Sequence, residues 1–240
     1  MYKRQTLDPE LPAQEDTANL VLDHLGGDTL VFRLRGLLAE PVEISRSWAQ
    51  AFVTFTEQGV RHILAGADHV MFVVCLVLGV VALGPLLWRV SGFTLGHSVT
   101  LAAGFFGYTP QGVWFVPMVE TGIALSIIYA AIMVVLRAER AVSTWVTVVL
   151  GLLHGLGFAF VLSEMLPTDA PDVWQSLLAF NIGVEIGQVG VVLATLGVML
   201  VLSRVFPVQV NTFRTGLAMA CIVIASVWAG QRSLQLVTVL

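Results

Sequence analysis

The stretch His62-Ile-Leu-Ala-Gly-Ala-Asp-His-Val-Met-Phe-Val73 places two imidazoles and a carboxylate at the start of an apolar segment. Four more ionisable groups stand inside later apolar segments: His97, Glu120, His154 and Glu185. A charged group in hydrocarbon costs about 3 kcal/mol or more unless it is paired, hydrated or bound to something. The sequence therefore predicts a polar site within a membrane, and a divalent metal ion best suits mixed imidazole and carboxylate ligands.

The composition is that of an integral membrane protein. Of the 240 residues, 57% are apolar and only 12% are charged, and the mean hydropathy is +0.86. A soluble domain has about a quarter of its residues charged. The single lysine, Lys3, leaves no lysine-rich tract, so we expect a lipid bilayer as the surroundings and no nucleic-acid partner.

Six apolar stretches are each long enough to cross about 30 Å of hydrocarbon as a helix. They cover residues 67–88, 92–108, 117–136, 143–165, 175–203 and 213–231. The expected fold class is therefore all-α, a polytopic membrane protein whose six transmembrane helices lie within residues 66–240.

Arginines between these stretches indicate the orientation. Arg89 follows the first stretch, Arg137 and Arg140 follow the third, and Arg204 and Arg214 bracket the turn after the fifth. The other two turns, 109–116 and 166–174, have none. Because positively charged turns stay in the cytoplasm, we expect an inner (plasma) membrane protein with both termini outside; Arg232 is an exception to this pattern.

Two segments precede the apolar stretches. Residues 1–44 are polar and acidic and predict an extracytoplasmic segment, with a strand over the alternating stretch Thr29–Arg35. No apolar signal peptide follows Met1, so we expect a longer natural N-terminus or translocation of this segment behind the first span. Residues 45–65 predict an amphipathic helix along the outer interface, and Gly66 marks a bend into the membrane.

His62 and His69 are seven residues apart, which on a continuous helix is about 10 Å and too far to share one ion. A break at Gly66 would let the rings converge. Asp68 could orient the adjacent imidazole or bind metal itself, so we expect Asp68 and His69 to supply the main ligands. The alternative for His62 is an interfacial residue with a free ring.

A weak internal repeat links the other groups. The second and third stretches carry His97 and Glu120, and the fourth and fifth repeat that order with His154 and Glu185. Transporters are often built from repeated units around a central site, and the glycines beside these residues predict close helix packing. Each group also has a structural alternative, an interhelical hydrogen bond or a neutral carboxylic acid.

Asn181 lies four residues before Glu185 and Gln188 three after it, so both either orient the site or serve as interhelical hydrogen bonds. Three hydroxyls in the same stretches are expected to be structural: Ser98, Thr100 and Ser126.

The turns also fix the expected depth of each group, with His97 nearest the inner end. We expect an outer cluster with His154 and Glu185 just below it and His97 as the outlier. That outer cluster consists of His62, Asp68, His69 and Glu120.

Five motifs, in order along the chain, resemble those of the HupE/UreJ family of membrane proteins. The resemblance is closest to the second branch of that family. The motifs are HILAGADHVMFV (62–73), FTLGHSVTLA (93–102), PMVETGIALSI (117–127), GLLHGLGFA (151–159) and FNIGVEIGQ (180–188). The resemblance implies a nickel or cobalt permease, or an accessory protein of hydrogenase or urease maturation. It implicates an HxxxGxDH motif, here His62, Gly66, Asp68 and His69, as the metal site. The family's nickel permeases typically have proline after the first histidine, where this chain has Ile63.

We expect a membrane permease for a divalent transition-metal ion, nickel or cobalt by resemblance, with zinc equally suited to imidazole. Its candidate ligands are His62, Asp68, His69, His97, Glu120, His154 and Glu185. No Walker motif is present, so transport would use a gradient or a separate partner. A homo-oligomer is compatible with the sequence.

Two alternatives stay open. One is a metal-dependent intramembrane hydrolase, with three histidines on zinc and Glu120 or Glu185 as the general base. The other is a membrane subunit that holds a metal without moving it. The HExxH motif that would favour a hydrolase is absent from the sequence, so we favour a transporter over an enzyme and assign no catalytic residue.

Reporter fusions test the orientation. Because arginine-bearing turns stay inside, fusions after Arg89, Arg140 and Arg204 should read cytoplasmic, and fusions near Gln111 and Ala170 should read external. Opposite signals at any two of these positions would contradict the arrangement.

Overall fold

The computed structural model describes residues 18–23, 30–35, 48–79, 82–110, 112–138, 142–165 and 173–239. These residues form two strands and seven helices. They are β1 (Ala18–Asp23), β2 (Leu30–Arg35), α1 (Trp48–Ala65), α2 (Ala67–Gly79), α3 (Leu83–Phe105), α4 (Phe115–Val135), α5 (Thr144–Met165), α6 (Val173–Val205) and α7 (Val210–Val239). The expected strand is confirmed as β2, which pairs antiparallel with β1.

The helices agree with the expected all-α membrane fold. Three of them, α4, α6 and α7, are long and apolar enough to cross a membrane. The pair α1 and α2 passes the same test as one broken span, bent by 74°. Helices α3 and α5 pack lengthwise against each other. The membrane protein class is therefore supported, and the count of six spans stays a prediction.

The first two predicted spans have the wrong boundaries. The stretch predicted at 67–88 is divided, because α2 ends at Gly79 and α3 begins at Leu83. Proline is tolerated in the first turn of a helix, where its missing N–H has no partner to lose, and Pro85 stands there in α3. Hydropathy alone does not register such a break, since the residues around it are apolar.

Helix α1 is present where the sequence predicts it, and it packs along α6. Its buried residues recur at every fourth position: Ala51, Phe55, Gly59 and Ile63. Gly59 faces the Phe180 carbonyl and Gly183 faces the Thr56 carbonyl, so close that a Cβ on either glycine would clash with backbone. Helix α1 therefore packs within the bundle. Its apolar stripe did not distinguish this from a helix on the membrane surface, because such a stripe can pack against either another helix or lipid.

Helices α3 and α5 meet by the same arrangement. Gly151 faces the Phe93 carbonyl, and Gly96 faces the Val148 carbonyl. Contacts along each pair show that the paired helices run in the same direction. Gly92 lies beside Thr144 and Gly104 beside Ala159, while Gly183 lies beside Gly59 and Gly187 beside Ile63. Small residues of this kind let backbones approach within membranes. The expected close packing of the glycine-rich faces is confirmed.

The two crossings are equivalent by residue number. Gly151 and Val148 of α5 lie 92 residues after Gly59 and Thr56 of α1, which make the same contacts. The contacted residues agree as well, because Phe180 and Gly183 of α6 lie 87 residues after Phe93 and Gly96 of α3. Helix α1 thus corresponds to α5, and α3 to α6.

The two pairs run in opposite directions. Hydrogen bonds join Ser98 to Asn181 and Thr94 to Glu185, so the numbers rise on α3 while they fall on α6. Helices α4 and α7, which follow α3 and α6 in the chain, pack against each other. The described helices therefore form two inverted halves, α1 with α3 and α4, and α5 with α6 and α7, while α2 is the bent continuation of α1.

This symmetry corrects the internal repeat that the sequence indicated. The sequence pairs the hairpin carrying His97 and Glu120 with the hairpin carrying His154 and Glu185. The contacts instead match α3 with α6 and α1 with α5. The expected repeat followed the order of charged residues, whereas the backbone follows the glycines at the crossings.

A single methyl group tests the crossing. Gly59→Ala should lower the melting temperature of the detergent-purified protein, by overpacking worth about 1–3 kcal/mol, because its Cβ meets the α6 backbone. Gly190→Ala is the matched control, since nothing lies within 4 Å of its Cβ. Equal melting curves for the two variants would show that the crossing is loose.

Candidate metal centre

Helices α1 and α2 meet at Gly66, and the break that the sequence predicts there is confirmed. A Cβ at this position would lie 2.9 Å from the backbone carbonyl oxygen of His62 and equally close to Asp68 Oδ1 and His69 Nδ1, which favours glycine. The bend brings the ring centroids of His62 and His69 to 4.7 Å, about half the separation on a continuous helix.

Four histidines from four helices converge beside this bend: His62 of α1, His69 of α2, His97 of α3 and His154 of α5. The centroid of the His69 ring lies 4.7 Å from that of His62, 5.8 Å from that of His97 and 5.1 Å from that of His154. Two triads have ligand atoms within 4.8 Å of one another, His62 with His69 and His97, and Asp68 with His69 and His154. His69 belongs to both triads.

His97 lies within the cluster and is not the outlier that the sequence predicts. His97 is fully buried, and its ring lies 5.8 Å from each of His62 and His69. Helix α3 begins at Leu83 rather than at residue 92, so His97 lies further along its helix than expected. Helix α1 precedes His69 across the bend at Gly66, and the expected depth of His69 near an outer end stays a prediction.

Each of the two glycine crossings positions one histidine ring. His62 follows Gly59 by three residues and His154 follows Gly151 by three, so the two histidines hold equivalent positions in the inverted halves. Each ring is therefore carried by the helix whose backbone position the glycine fixes. Helix α2, which has no counterpart among the described helices, adds Asp68 and His69.

Most of the ring nitrogens have no hydrogen-bond partner within the described residues. They are His62 Nε2, His69 Nε2, both nitrogens of His97 and His154 Nδ1. A buried polar atom left without a partner costs about 1–3 kcal/mol. Such a cost is offset when the lone pairs ligate a cation, and neutral imidazole is the commonest metal ligand in proteins.

Two neighbours orient the rings for that role. Asp68 Oδ1 lies 3.1 Å from His69 Nδ1, and a proton on Nδ1 leaves the lone pair on Nε2. Ser126 of α4 donates to the Ile123 carbonyl at 2.7 Å, so its oxygen accepts from His154 Nε2 at 2.9 Å. His154 then keeps its lone pair on Nδ1. His69 Nε2 and His154 Nδ1, which have no hydrogen-bond partner, are therefore the nitrogens that these hydrogen bonds leave unprotonated.

Ser126 and an aromatic wall were not expected from the sequence. Nothing in the sequence distinguishes Ser126 from other helical serines, for which a structural role is expected. Four phenylalanines contact the histidine rings: Phe72, Phe93, Phe158 and Phe180. Their rings limit the approach of water, and a low dielectric strengthens the attraction between a cation and the Asp68 carboxylate.

Glu120 is not brought to the histidines. Its Oε2 lies 3.2 Å from Nε of Arg232 on α7, and it is in neither triad. The expected outer cluster therefore lacks Glu120, because the carboxylate has an ion-pair partner elsewhere. Arg232, which broke the arginine pattern, was the signal that could have predicted this pair.

Glu185 is also outside both triads. It belongs to a polar seam between α3 and α6 that consists of Ser91, Thr94, Ser98, Asn181, Glu185 and Gln188. Ser91 donates to Glu185 Oε1 at 2.6 Å, and Thr94 contacts Oε2. Asn181 and Gln188 make hydrogen bonds across this seam, so the structure assigns both to helix contact rather than to the metal triads.

A family model described as HupE / UreJ protein matches residues 39–232. The match contains α1 to α6, most of α7 and all four clustered histidines. No curated protein and no solved structure matches the chain.

The geometry makes opposite predictions for two groups that the sequence treated alike. His97→Ala should weaken Ni²⁺ binding in detergent about ten-fold or more, because it removes a ligand from one triad. Glu120→Gln, the matched control, should leave the affinity unchanged, since Glu120 pairs with Arg232. Isothermal titration measures both, and the reverse order of effects would contradict the site.

Proposed function

The chain belongs to the HupE/UreJ family, and on that premise we propose that it is a permease that moves a divalent transition-metal ion across the inner membrane. The family is associated with nickel and cobalt transport. One observation carries the proposal: four histidines from four helices, three of them buried and His62 partly buried, converge beside one bend inside an apolar bundle. The ion is the cargo of this site.

The ligands suit first-row transition metals. The first triad offers three imidazoles, and the second offers two imidazoles and the Asp68 carboxylate. Magnesium and calcium prefer oxygen ligands, whereas nickel, cobalt and zinc accept imidazole. Family membership favours nickel or cobalt among these.

The shared ligand suggests how the ion moves within the site. His69 belongs to both triads, one with His62 and His97 and the other with Asp68 and His154. An ion that exchanges one triad for the other keeps His69 as a ligand, so it is never fully stripped. Multiple weak positions in sequence allow an ion both to enter and to leave a pathway.

The inverted halves support transport. In the orientation expected from the arginine turns, α1 and α6 run inward while α3 and α5 run outward. The histidines then lie at the contact between two halves of opposite direction. Secondary transporters commonly place their binding site at the interface of inverted repeats and alternate access by moving one repeat against the other.

An intramembrane hydrolase is less well supported. It needs a carboxylate base beside the metal, and neither Glu120 nor Glu185 falls in the triads found among the described residues. Asp68 is already bonded to His69. The described geometry therefore provides ligands for an ion without the base that hydrolysis requires.

Uptake into proteoliposomes tests the permease. Wild-type protein should accumulate Ni²⁺ inside vesicles, and His69→Ala should slow uptake about ten-fold or more, because it removes a ligand from both triads. Gly190→Ala, remote from other groups, is the control for insertion and folding. Tight binding of Ni²⁺ without uptake by the wild-type protein would show a metal-holding subunit instead of a permease.

A further inference from the structure

Glu185 supplies the carboxylate of the polar seam, whose other members are neutral, and it belongs to neither metal triad. It is half-buried on α6, where it meets hydroxyls of α3. A carboxylate at such a position in a membrane protein marks an ion or proton pathway by default.

The Thr94 hydroxyl has one hydrogen for three acceptors, so the protonation state of Glu185 decides which of these contacts has a donor. The Thr94 oxygen contacts Glu185 Oε2, Gln188 Oε1 at 3.1 Å and the Val90 carbonyl at 3.3 Å, and a hydroxyl has one hydrogen. An ionised Glu185 takes that hydrogen and leaves the contact with Gln188 Oε1 without one. A protonated Glu185 donates to Thr94, and Thr94 then donates to Gln188.

Gln188 supplies an independent observation. Its side chain is fully buried, and its Nε2 has no hydrogen-bond partner within the described residues. Rotation of the amide by a half-turn would let Nε2 donate to Thr94, and Thr94 would then donate to an ionised Glu185. There are therefore two arrangements in which both contacts, Thr94 with Glu185 and Thr94 with Gln188, have a donor, and they differ by one proton on Glu185.

The inverted halves contain an internal control for the carboxylate. Glu185 lies 87 residues after Ser98, and Asn181 lies 87 after Thr94, so the two cross-helix pairs are equivalent. The Ser98 hydroxyl reaches Asn181 Oδ1 at 2.7 Å with neutral groups alone. Helix packing at this register does not need a carboxylate, so the charge at Glu185 serves another purpose.

We propose that Glu185 is the proton-binding site that couples metal movement to the proton gradient. This inference rests on the proposed permease function and names the proton as the ion that drives transport. A proton from one side forms the carboxyl O–H bond, and the same bond breaks when the proton leaves to the other side, with no change in oxidation state. Because Glu185 lies in one half and Thr94 in the other, each protonation changes a contact between the halves.

The surroundings of Glu185 include other charged or titratable groups. Helix α6 packs against α1, α2, α3 and α7. Those helices carry Glu57, Arg61 and His62; Asp68, His69 and Cys75; Arg89 and His97; and Arg214, Cys221 and Arg232. The described hydrogen bonds to the Glu185 carboxylate come from Ser91 and Thr94 of α3.

Proteoliposomes with a pH-sensitive dye inside test the coupling. Wild-type protein should move protons when a Ni²⁺ gradient is applied, and Glu185→Gln should reduce that proton flux at least ten-fold. The affinity for Ni²⁺ should stay within two-fold of the wild type, because Glu185 is in neither triad. Ser98→Ala, at the equivalent neutral position, is the matched control and should keep the coupling.

The outcomes separate this proposal from the permease itself. Nickel uptake without proton flux in the wild-type protein, or with a sodium requirement, would overturn the proton site and leave the permease intact. Undiminished proton flux in Glu185→Gln would do the same. If that variant fails to fold, infrared difference spectra of wild-type protein decide: a protonated carboxyl band that changes when Ni²⁺ is added supports the site, and its absence overturns it.

Discussion

Backbone contact at two glycine crossings is the constraint on which the rest of this structure depends. At each crossing a glycine on one helix faces a carbonyl of its neighbour: Gly59 and Gly183 join α1 to α6, and Gly96 and Gly151 join α3 to α5. Within a membrane, helices gain little from the hydrophobic effect, so close van der Waals contact determines which faces meet. A side chain at any of these positions would separate the helices and move the rings that follow them.

The metal centre is a consequence of those crossings together with one bend. Three residues after the crossing glycines, His62 and His154 enter from opposite halves, and the break at Gly66 turns α2 so that the His69 ring lies 4.7 Å from the first and 5.1 Å from the second. His97 completes the cluster from α3. The site therefore draws on both inverted halves, and any relative movement of the halves must change the distances between its ligands. A transport site and a conformational change are thereby linked by the same contacts.

Much of this could be predicted from the sequence, and the failures have physical reasons. Hydropathy identified a helical membrane protein, and the residue types identified the break at Gly66 and the Asp68–His69 pair. Hydropathy did not place the end of α2, which moved the expected position of His97. Residue type also could not assign partners: Glu120 and Glu185 resembled metal ligands until Arg232 and the α3 hydroxyls were found beside them. The inverted symmetry was hidden because it is carried by glycines and carbonyls rather than by the charged residues.

The central claim is that one ion is held by several of these histidines at once. X-ray absorption of the nickel-loaded wild-type protein tests it most directly, because outer-shell scattering from imidazole rings counts the histidines bound. The account predicts nitrogen and oxygen ligands at about 2.0–2.2 Å, with at least two imidazoles and no sulfur. A first shell with one imidazole or none, or one containing sulfur from Cys75 or Cys221, would contradict it.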